Sequence, residues 1–298
     1  MQITLVDSGK ILGASDLISA TLRTDLVPVP VSLEFSVQLT PEIENELVDG
    51  KEIIVQDISH PLTLINVEPL KTQLIKNDKR VGAIACIAVL SACKNLIIPS
   101  AKAIIREQSS FNSILRSIGV KDIELGSDLP LPEFICLKGQ LPSVRLAKYL
   151  QQEAAVICYR DSKISAVKID SLFKHEPKMD IDPGQVHWIN SAQLQHHNKS
   201  SFVSVESDGS TVISADSVTP GQQVNQVSGL DSRQLKNMEK VLIKKGEAIR
   251  SSNIPAFAGD IVRSNGINYV LVTTAIQTDT GVQGNSSGSL SKYWLASL

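Results

Sequence analysis

The chain has 298 residues with 29 basic and 31 acidic side chains, 20 and 21 of them before position 180 and 9 and 10 from there on. That length allows two or more domains, each burying its own core without disulfides or metals, and the even charge leaves no basic stripe for nucleic acid or a membrane surface. Residues 1–8 lack the basic start and apolar stretch of a signal peptide, and the longest apolar run, about residues 81–90, is too short to cross a bilayer, so a soluble protein in a reducing environment is expected.

The first hundred residues read as short strands. Gln2–Val6 and Lys10–Leu12 flank Asp7-Ser8-Gly9 as an opening hairpin. In Val29–Gln38, the residues Val31, Leu33, Phe35 and Val37 alternate with Ser32, Glu34, Ser36 and Gln38, the mark of a half-buried strand. Thr40-Pro41 opens a short helix whose Glu42, Glu44 and Glu46 suit the positive end of the helix dipole, and Asp49-Gly50 is expected to close it. Strands at Glu52–Val55, Leu62–Val67 and Val81–Leu90 follow, a spacing that fits a small antiparallel barrel or sandwich.

From about residue 102 helix and strand alternate. Phe111, Ile114, Leu115 and Ile118 stand at helical spacing before Gly119. A second helix is predicted over Pro142–Glu153, with Val144, Ala147, Tyr149 and Leu150 as its apolar face and Arg145, Lys148, Gln151 and Gln152 mostly outside. Ala155–Tyr159, a turn at Asp161-Ser162 and a strand at Ile164–Ile169 complete a compact helix–strand–hairpin unit between Leu141 and Phe173. Polar, proline-bearing residues 173–183 read as a link.

Strand signals return at Phe202–Val205 and Thr211–Ser214. A helix is predicted over Ser232–Lys245, capped by Asp231 or Ser232, with Leu235, Met238 and Leu242 on one face. Asn265-Gly266 lies between strand-like runs from Asp260 to Thr274 and predicts a hairpin, because this pair tolerates positive backbone angles. Gly281–Ser291, rich in Gly and Ser, is expected to be mobile. The fold class is therefore α+β, mainly β: strand-rich residues 1–101 and 180–298, joined by an α/β helix–strand–hairpin region at 102–179, with the form of two small β-barrel domains added only by the resemblance described below.

Neither G-x-S-x-G, H-E-x-x-H, a phosphate-binding loop nor a dinucleotide fingerprint occurs. Gly281, Gly284 and Gly288 lack the strand-to-helix turn that phosphate binding needs. Cys86, Cys93, Cys136 and Cys158 sit in apolar surroundings without metal spacing and read as buried free thiols. His187 and the pair His196-His197 lack a companion at ligand spacing and read as solvated loop residues. Asp180 and Asp182 resemble half a calcium loop, but Pro183-Gly184 follows where further oxygens belong, so a surface turn is expected. Glu153 could be raised in pKa by burial, yet a bond to backbone or an arginine is the plainer role; Asp260 after Gly259 reads as a turn residue. Asn198 and Asn285 match glycosylation acceptors, which carry no meaning without secretion. Catalytic, cofactor and metal sites are accordingly assigned to no residue.

Leu137-Lys-Gly-Gln-Leu-Pro-Ser-Val-Arg-Leu-Ala-Lys-Tyr-Leu-Gln-Gln-Glu153, continued through Ile164 to Leu172-Phe173, resembles the helix–strand–hairpin segment of phage tail baseplate hubs and of the type VI secretion spike base. Leu26-Val-Pro-Val-Pro-Val-Ser-Leu-Glu-Phe35 is similar to the first-barrel strand of such hubs, and Ala258-Gly-Asp-Ile-Val262 with Tyr269-Val-Leu-Val272 to their closing hairpin. The resemblance implies two barrels per chain and three chains in a ring of pseudo-sixfold symmetry that adapts the tail tube to a threefold spike and passes DNA on ejection. It implies tail-tube or tail-tip, spike and baseplate wedge proteins as partners, and a place in the virion tail after assembly in the host cytoplasm. The chain is shorter than the larger hubs, which leaves its grip on a spike open. The competing readings are a tail-associated cell-wall hydrolase and a receptor- or carbohydrate-binding module; the first needs a catalytic cluster, the second exposed aromatic platforms in a chain only 4% aromatic.

Overall fold

Strands dominate the computed structural model, which describes the chain apart from residues 71–74, 77–78, 81, 190–199, 206–207, 215–222, 252–255 and 282–287. In the N-terminal part β1 (Ile3–Leu5) and β2 (Ile11–Leu12) form the expected hairpin, Ile3 opposite Leu12. They are followed by β3 (Leu17–Asp25) and β4 (Val31–Gln38), where the alternating Val31, Leu33, Phe35 and Val37 are buried. Helix α1 (Pro41–Glu46) begins where Thr40 Oγ1 accepts the Ile43 N–H at 3.3 Å. It stops at Glu46, short of the predicted Asp49-Gly50, because Gly50 donates its N–H to the Leu64 carbonyl at 2.8 Å and so belongs to the approach to the sheet. Strands β5 (Glu52–Val55), β6 (Leu62–Leu70), the short pair β7 (Ile75–Lys76) and β8 (Lys79–Arg80), and β9 (Ala83–Leu90) complete this part.

The middle part holds β10 (Ile104–Ser110), α2 (Phe111–Ile118), β11 (Glu124–Leu125), β12 (Pro130–Cys136), α3 (Pro142–Gln152), β13 (Ala155–Arg160), β14 (Lys163–Lys168) and the single turn α4 (Ile169–Leu172). Ser110 caps α2, and Gly119 at φ +105° ends it in the left-handed conformation that glycine adopts without strain. The buried face of α3 differs from the predicted one. Pro142, Leu146 and Leu150, four residues apart, point inward, whereas Val144 is 61% exposed and Ala147 is also exposed. The expected and observed faces share Leu150 but are rotated, because α3 rests on β12 and β13 through its i, i+4, i+8 residues; Gln152, expected outside, is buried as well. Asp161 and Ser162, at φ +49° and +61°, make the tight turn between β13 and β14.

The last part contains β15 (Met179–Asp180), β16 (Val186–Trp188), β17 (Ser201–Val205), β18 (Thr211–Ile213), β19 (Val224–Gln226), α5 (Ser232–Met238), β20 (Ile243–Arg250), β21 (Ile261–Ser264), β22 (Ile267–Asp279) and β23 (Gly288–Ser297). Asp231 and Gln234 cap α5 reciprocally. The helix predicted to Lys245 ends at Met238, since Leu242 packs near Leu172 and Val270 and the chain from Ile243 pairs with β23. Residues 288–291, expected to be mobile, form the start of β23; residues 282–287 of that segment lie outside the described residues. Asn265-Gly266, at φ +50° and +74°, turns β21 into β22 as predicted.

Strands from both ends of the chain make one sheet, in the order β16-β20-β23-β22-β3-β4-β9-β6-β5-β1-β2, with β21 also paired to β22 and β15 paired to β21. Among the described residues this path runs open from β16 to β2 and no sheet closes on itself, so the mainly β class holds while two separate closed barrels are not what the pairing describes. The seam is β22 against β3, Thr273 to Asp279 opposite Asp25 to Ser19. The main apolar core runs from Ile3 to Ala166, and smaller clusters lie under the last strands.

Candidate functional site at the junction of the two halves

The seam brings polar groups into a dry interior, where each must find a partner. Thr24 and Thr274 meet hydroxyl to hydroxyl at 2.8 Å, and Thr24 Oγ1 also accepts the Ala258 N–H at 2.8 Å. Two residues on, Asp260 is buried and receives three donors: Arg160 Nη2 on Oδ1, and Lys178 Nζ at 3.0 Å and the Phe257 N–H at 2.9 Å on Oδ2. Arg160 also donates to the Gly259 carbonyl at 3.1 Å. Asp260 thus keeps the turn role expected of it and adds a tie between β13, the residues before β15 and the C-terminal hairpin.

Glu153, at the end of α3, is the second buried carboxylate. Arg233 of α5 engages it with both prongs, Nη1 to Oε2 at 2.7 Å and Nη2 to Oε1 at 2.9 Å, and Lys168 Nζ lies 3.0 Å from Oε2. Burial pushes its pKa upward, but the hydrogen bonds and charges of Arg233 and Lys168 outweigh this and hold it below the ordinary carboxylate value. The expected arginine bond is present. Its partner was not legible, because 80 positions separate Arg233 from Glu153 and no local pattern links them.

Between these ties lies an apolar groove of about 520 Å³, walled by Leu26, Val27 and Pro28 of the β3–β4 turn, Leu150 and Val156 of the middle part, and Leu242 and Val272 of the last part. It is a surface that three separate stretches of sequence build together, and its chemistry suits packing rather than proton transfer.

The other sequence candidates do not converge. Cys86, Cys93, Cys136 and Cys158 are buried and unpaired as expected; burial pushes the Cys86 and Cys93 thiols up to about 12 and raises the other two. Thiols held that high do not supply a thiolate near neutral pH. His187 stands exposed on β16 opposite Glu247. His196, His197, Asn198, Gly284 and Asn285 lie outside the described residues. Asp180 pairs in β15, and Asp182 Oδ1 accepts the Gly184 N–H at 2.7 Å, which is the surface turn expected. Gly281 has φ +78° in a turn and Gly288 opens β23. Among the described residues no three His, Cys, Asp or Glu gather as a metal site.

Among the described residues an open mixed sheet joins both chain ends around an α/β middle part, and the buried carboxylates Glu153 and Asp260 are spent on internal ties. This fold is similar to that of phage tail proteins and of a type VI secretion system component. The tail protein from Neisseria meningitidis MC58 is similar over 99% of this chain and 96% of its own, at TM-score 0.66 and 9% identity. The 43 kDa tail protein of prophage MuSo2 from Shewanella oneidensis is similar over 99% and 98%, at TM-score 0.66 and 10% identity. The E. coli c3393 protein, described as a type VI secretion system component similar to T4 bacteriophage tail proteins gp27 and gp5, is similar over 94% of this chain and 73% of its own, at TM-score 0.54 and 8% identity. No family model and no curated protein matches the sequence.

Proposed function

We propose that this chain is the structural hub of a phage tail baseplate, a non-enzymatic protein that forms a trimeric ring between tail tube and central spike. The observation that carries the reading is the agreement of fold, end to end, with tail proteins of the same span. In this reading the two halves of the sheet are the two small barrels of the hub, residues 1–101 and 180–298, and residues 102–179 join them. The partners are further copies of the chain, tail-tube or tail-tip proteins, the spike and wedge proteins. The place is the virion tail, after assembly in the host cytoplasm, and DNA passes through the ring.

Surface chemistry supports self-assembly. Hydrogen bonds between Ser100 and the Gly139–Gln140 stretch, and the pairing of Ile104 with Cys136, lay residues 98–105 beside 135–141. Ile98, Ile105, Leu137 and Leu141 there, and Val144 in the first turn of α3, are 53%, 52%, 48%, 38% and 61% exposed. Apolar side chains grouped on an exposed ribbon mark a surface that a neighbouring copy covers. Light-scattering mass measurement tests the reading: a trimer is expected, and a strict monomer at high concentration, also with the cognate spike protein added, overturns it.

A further inference from the structure

We infer that the described residues of 201–239 form a separate lobe, inserted at the edge of the main sheet and latched to α3 by a carboxylate–guanidinium clasp, so that it can release as a unit while the sheet stays folded.

The topology carries the first part. β16 and β20 are neighbours in the main sheet, paired antiparallel from Val186 opposite Ala248 to Trp188 opposite Gly246, and the Ile189 N–H still bonds to the Lys245 carbonyl at 2.8 Å. The chain therefore leaves the sheet after Ile189 and returns at Ile243 beside its point of departure. Whatever is placed between two such adjacent strands can move without disturbing their pairing, because both stems are fixed by the same ladder.

The lobe has its own interior. β17 pairs antiparallel with β18 and parallel with β19, and this three-stranded sheet is separate from the main one. Phe202, Leu230, Leu235 and Met238 form a buried cluster with Val212 and Val227 packed on it, and every member belongs to the lobe. Ser214, also buried, donates its hydroxyl to Glu239 and accepts the Phe202 N–H at 2.8 Å, closing the lobe's two ends on each other.

The ties that fasten it to α3 are polar. Arg233 grips Glu153 with two hydrogen bonds, and Asn237 Nδ2 donates to the Gln152 carbonyl at 3.1 Å. Beside the lobe, Lys240 reaches Asp170 of α4 at 2.5 Å. A bidentate guanidinium–carboxylate pair is strong only in one geometry, so it holds or lets go as a switch does, whereas a buried apolar face would bind the lobe continuously. Glu153 is 5% exposed in its side chain and Arg233 52%. The carboxylate is thus a prepared receptor on the body, already flanked by Lys168, and the guanidinium is the mobile member.

Hydrogen–deuterium exchange of the full chain, read by mass spectrometry, tests this with Glu153→Gln and Arg233→Ala. Both variants are expected to exchange faster by about tenfold or more over 201–239 while β3, β22 and β23 keep wild-type protection. Arg233→Ala sits on the half-exposed side of the pair, so it remains informative if Glu153→Gln folds poorly. Unchanged lobe exchange in Arg233→Ala overturns the latch. Equal acceleration in the lobe and in β22 overturns the independence of the lobe.

Discussion

Thr24 and Thr274 face each other across the seam between the two ends of the chain, hydroxyl to hydroxyl at 2.8 Å, both buried, with the Ala258 N–H also bound to Thr24 Oγ1. A valine at position 24 fills the same volume but leaves the Ala258 N–H without its acceptor and Thr274 without its hydroxyl partner. A buried unsatisfied donor costs about 1–3 kcal/mol. Thr24→Val is therefore expected to lower stability by about that much, and Thr274→Val, which strands no backbone donor in this set, by about 1 kcal/mol or less. Urea denaturation checks it: the midpoint should fall with the slope unchanged, and equal losses in the two variants would contradict the assignment.

The corrected face of α3 gives a paired prediction. Leu146 is fully buried and Val144 is 61% exposed. Leu146→Ala is expected to cost about 2–5 kcal/mol and Val144→Ala about 0.5 kcal/mol or less. Thermal unfolding of the two variants would separate the observed face from the predicted one, since the predicted face counts on Val144 and does not include Leu146.

Local pattern made most strands of the first hundred residues, α2 and the Asn-Gly hairpin legible, because alternation, helical spacing and a glycine stop act within a few residues; β3 at Leu17–Asp25 was not read. β20 was hidden for a physical reason. Ile243-Lys-Lys-Gly-Glu-Ala-Ile-Arg250 reads as polar, yet Gly246 is there because β16 comes close: a Cβ at this position would stand 2.7 Å from Val186 Cγ1. The β22–β3 seam joins residues some 250 positions apart, and side-chain periodicity specifies which face of a strand is buried without naming its neighbour. The same limit applies to the junction. Glu153 and Asp260 stood out singly, but Arg233, Arg160 and Lys178 became their partners only through the fold.

Glu247 on β20 makes a pH prediction. Lys244 and Lys292 both bond its carboxylate, and Trp294 Nε1 donates to it at 3.0 Å. The hydrogen bond from Lys244, then that from Lys292, hold its pKa down at about 2, against 4.5 for the free side chain. A carboxylate with a depressed folded pKa adds stability above the unfolded value and loses it as the pH falls through the folded one. The melting temperature of wild type should thus exceed that of Glu247→Gln near neutral pH, and the gap should shrink as pH drops from 4.5 toward 2. A gap independent of pH would mean that the amide disrupts packing rather than removing a charge.

The exposed ribbon allows self-assembly to be separated from folding. Ile105 and Val144 are 52% and 61% exposed in the single chain, so an aspartate at either place removes little buried area and should leave the melting temperature within about 1–2 °C of wild type. If neighbouring copies cover this ribbon, the same aspartate has to lose its hydration in the assembled state, and without a basic partner that cost is several kcal/mol per interface. A closed ring repeats the penalty at every interface, so assembly should fail sharply rather than weaken in proportion. Ile105→Asp and Val144→Asp are therefore expected to be folded monomers at concentrations where the wild type is trimeric, as read by light scattering. Trimers of unchanged affinity in both variants would place the contact between copies on another face, and the open edges at β2 and β16 would be next to test.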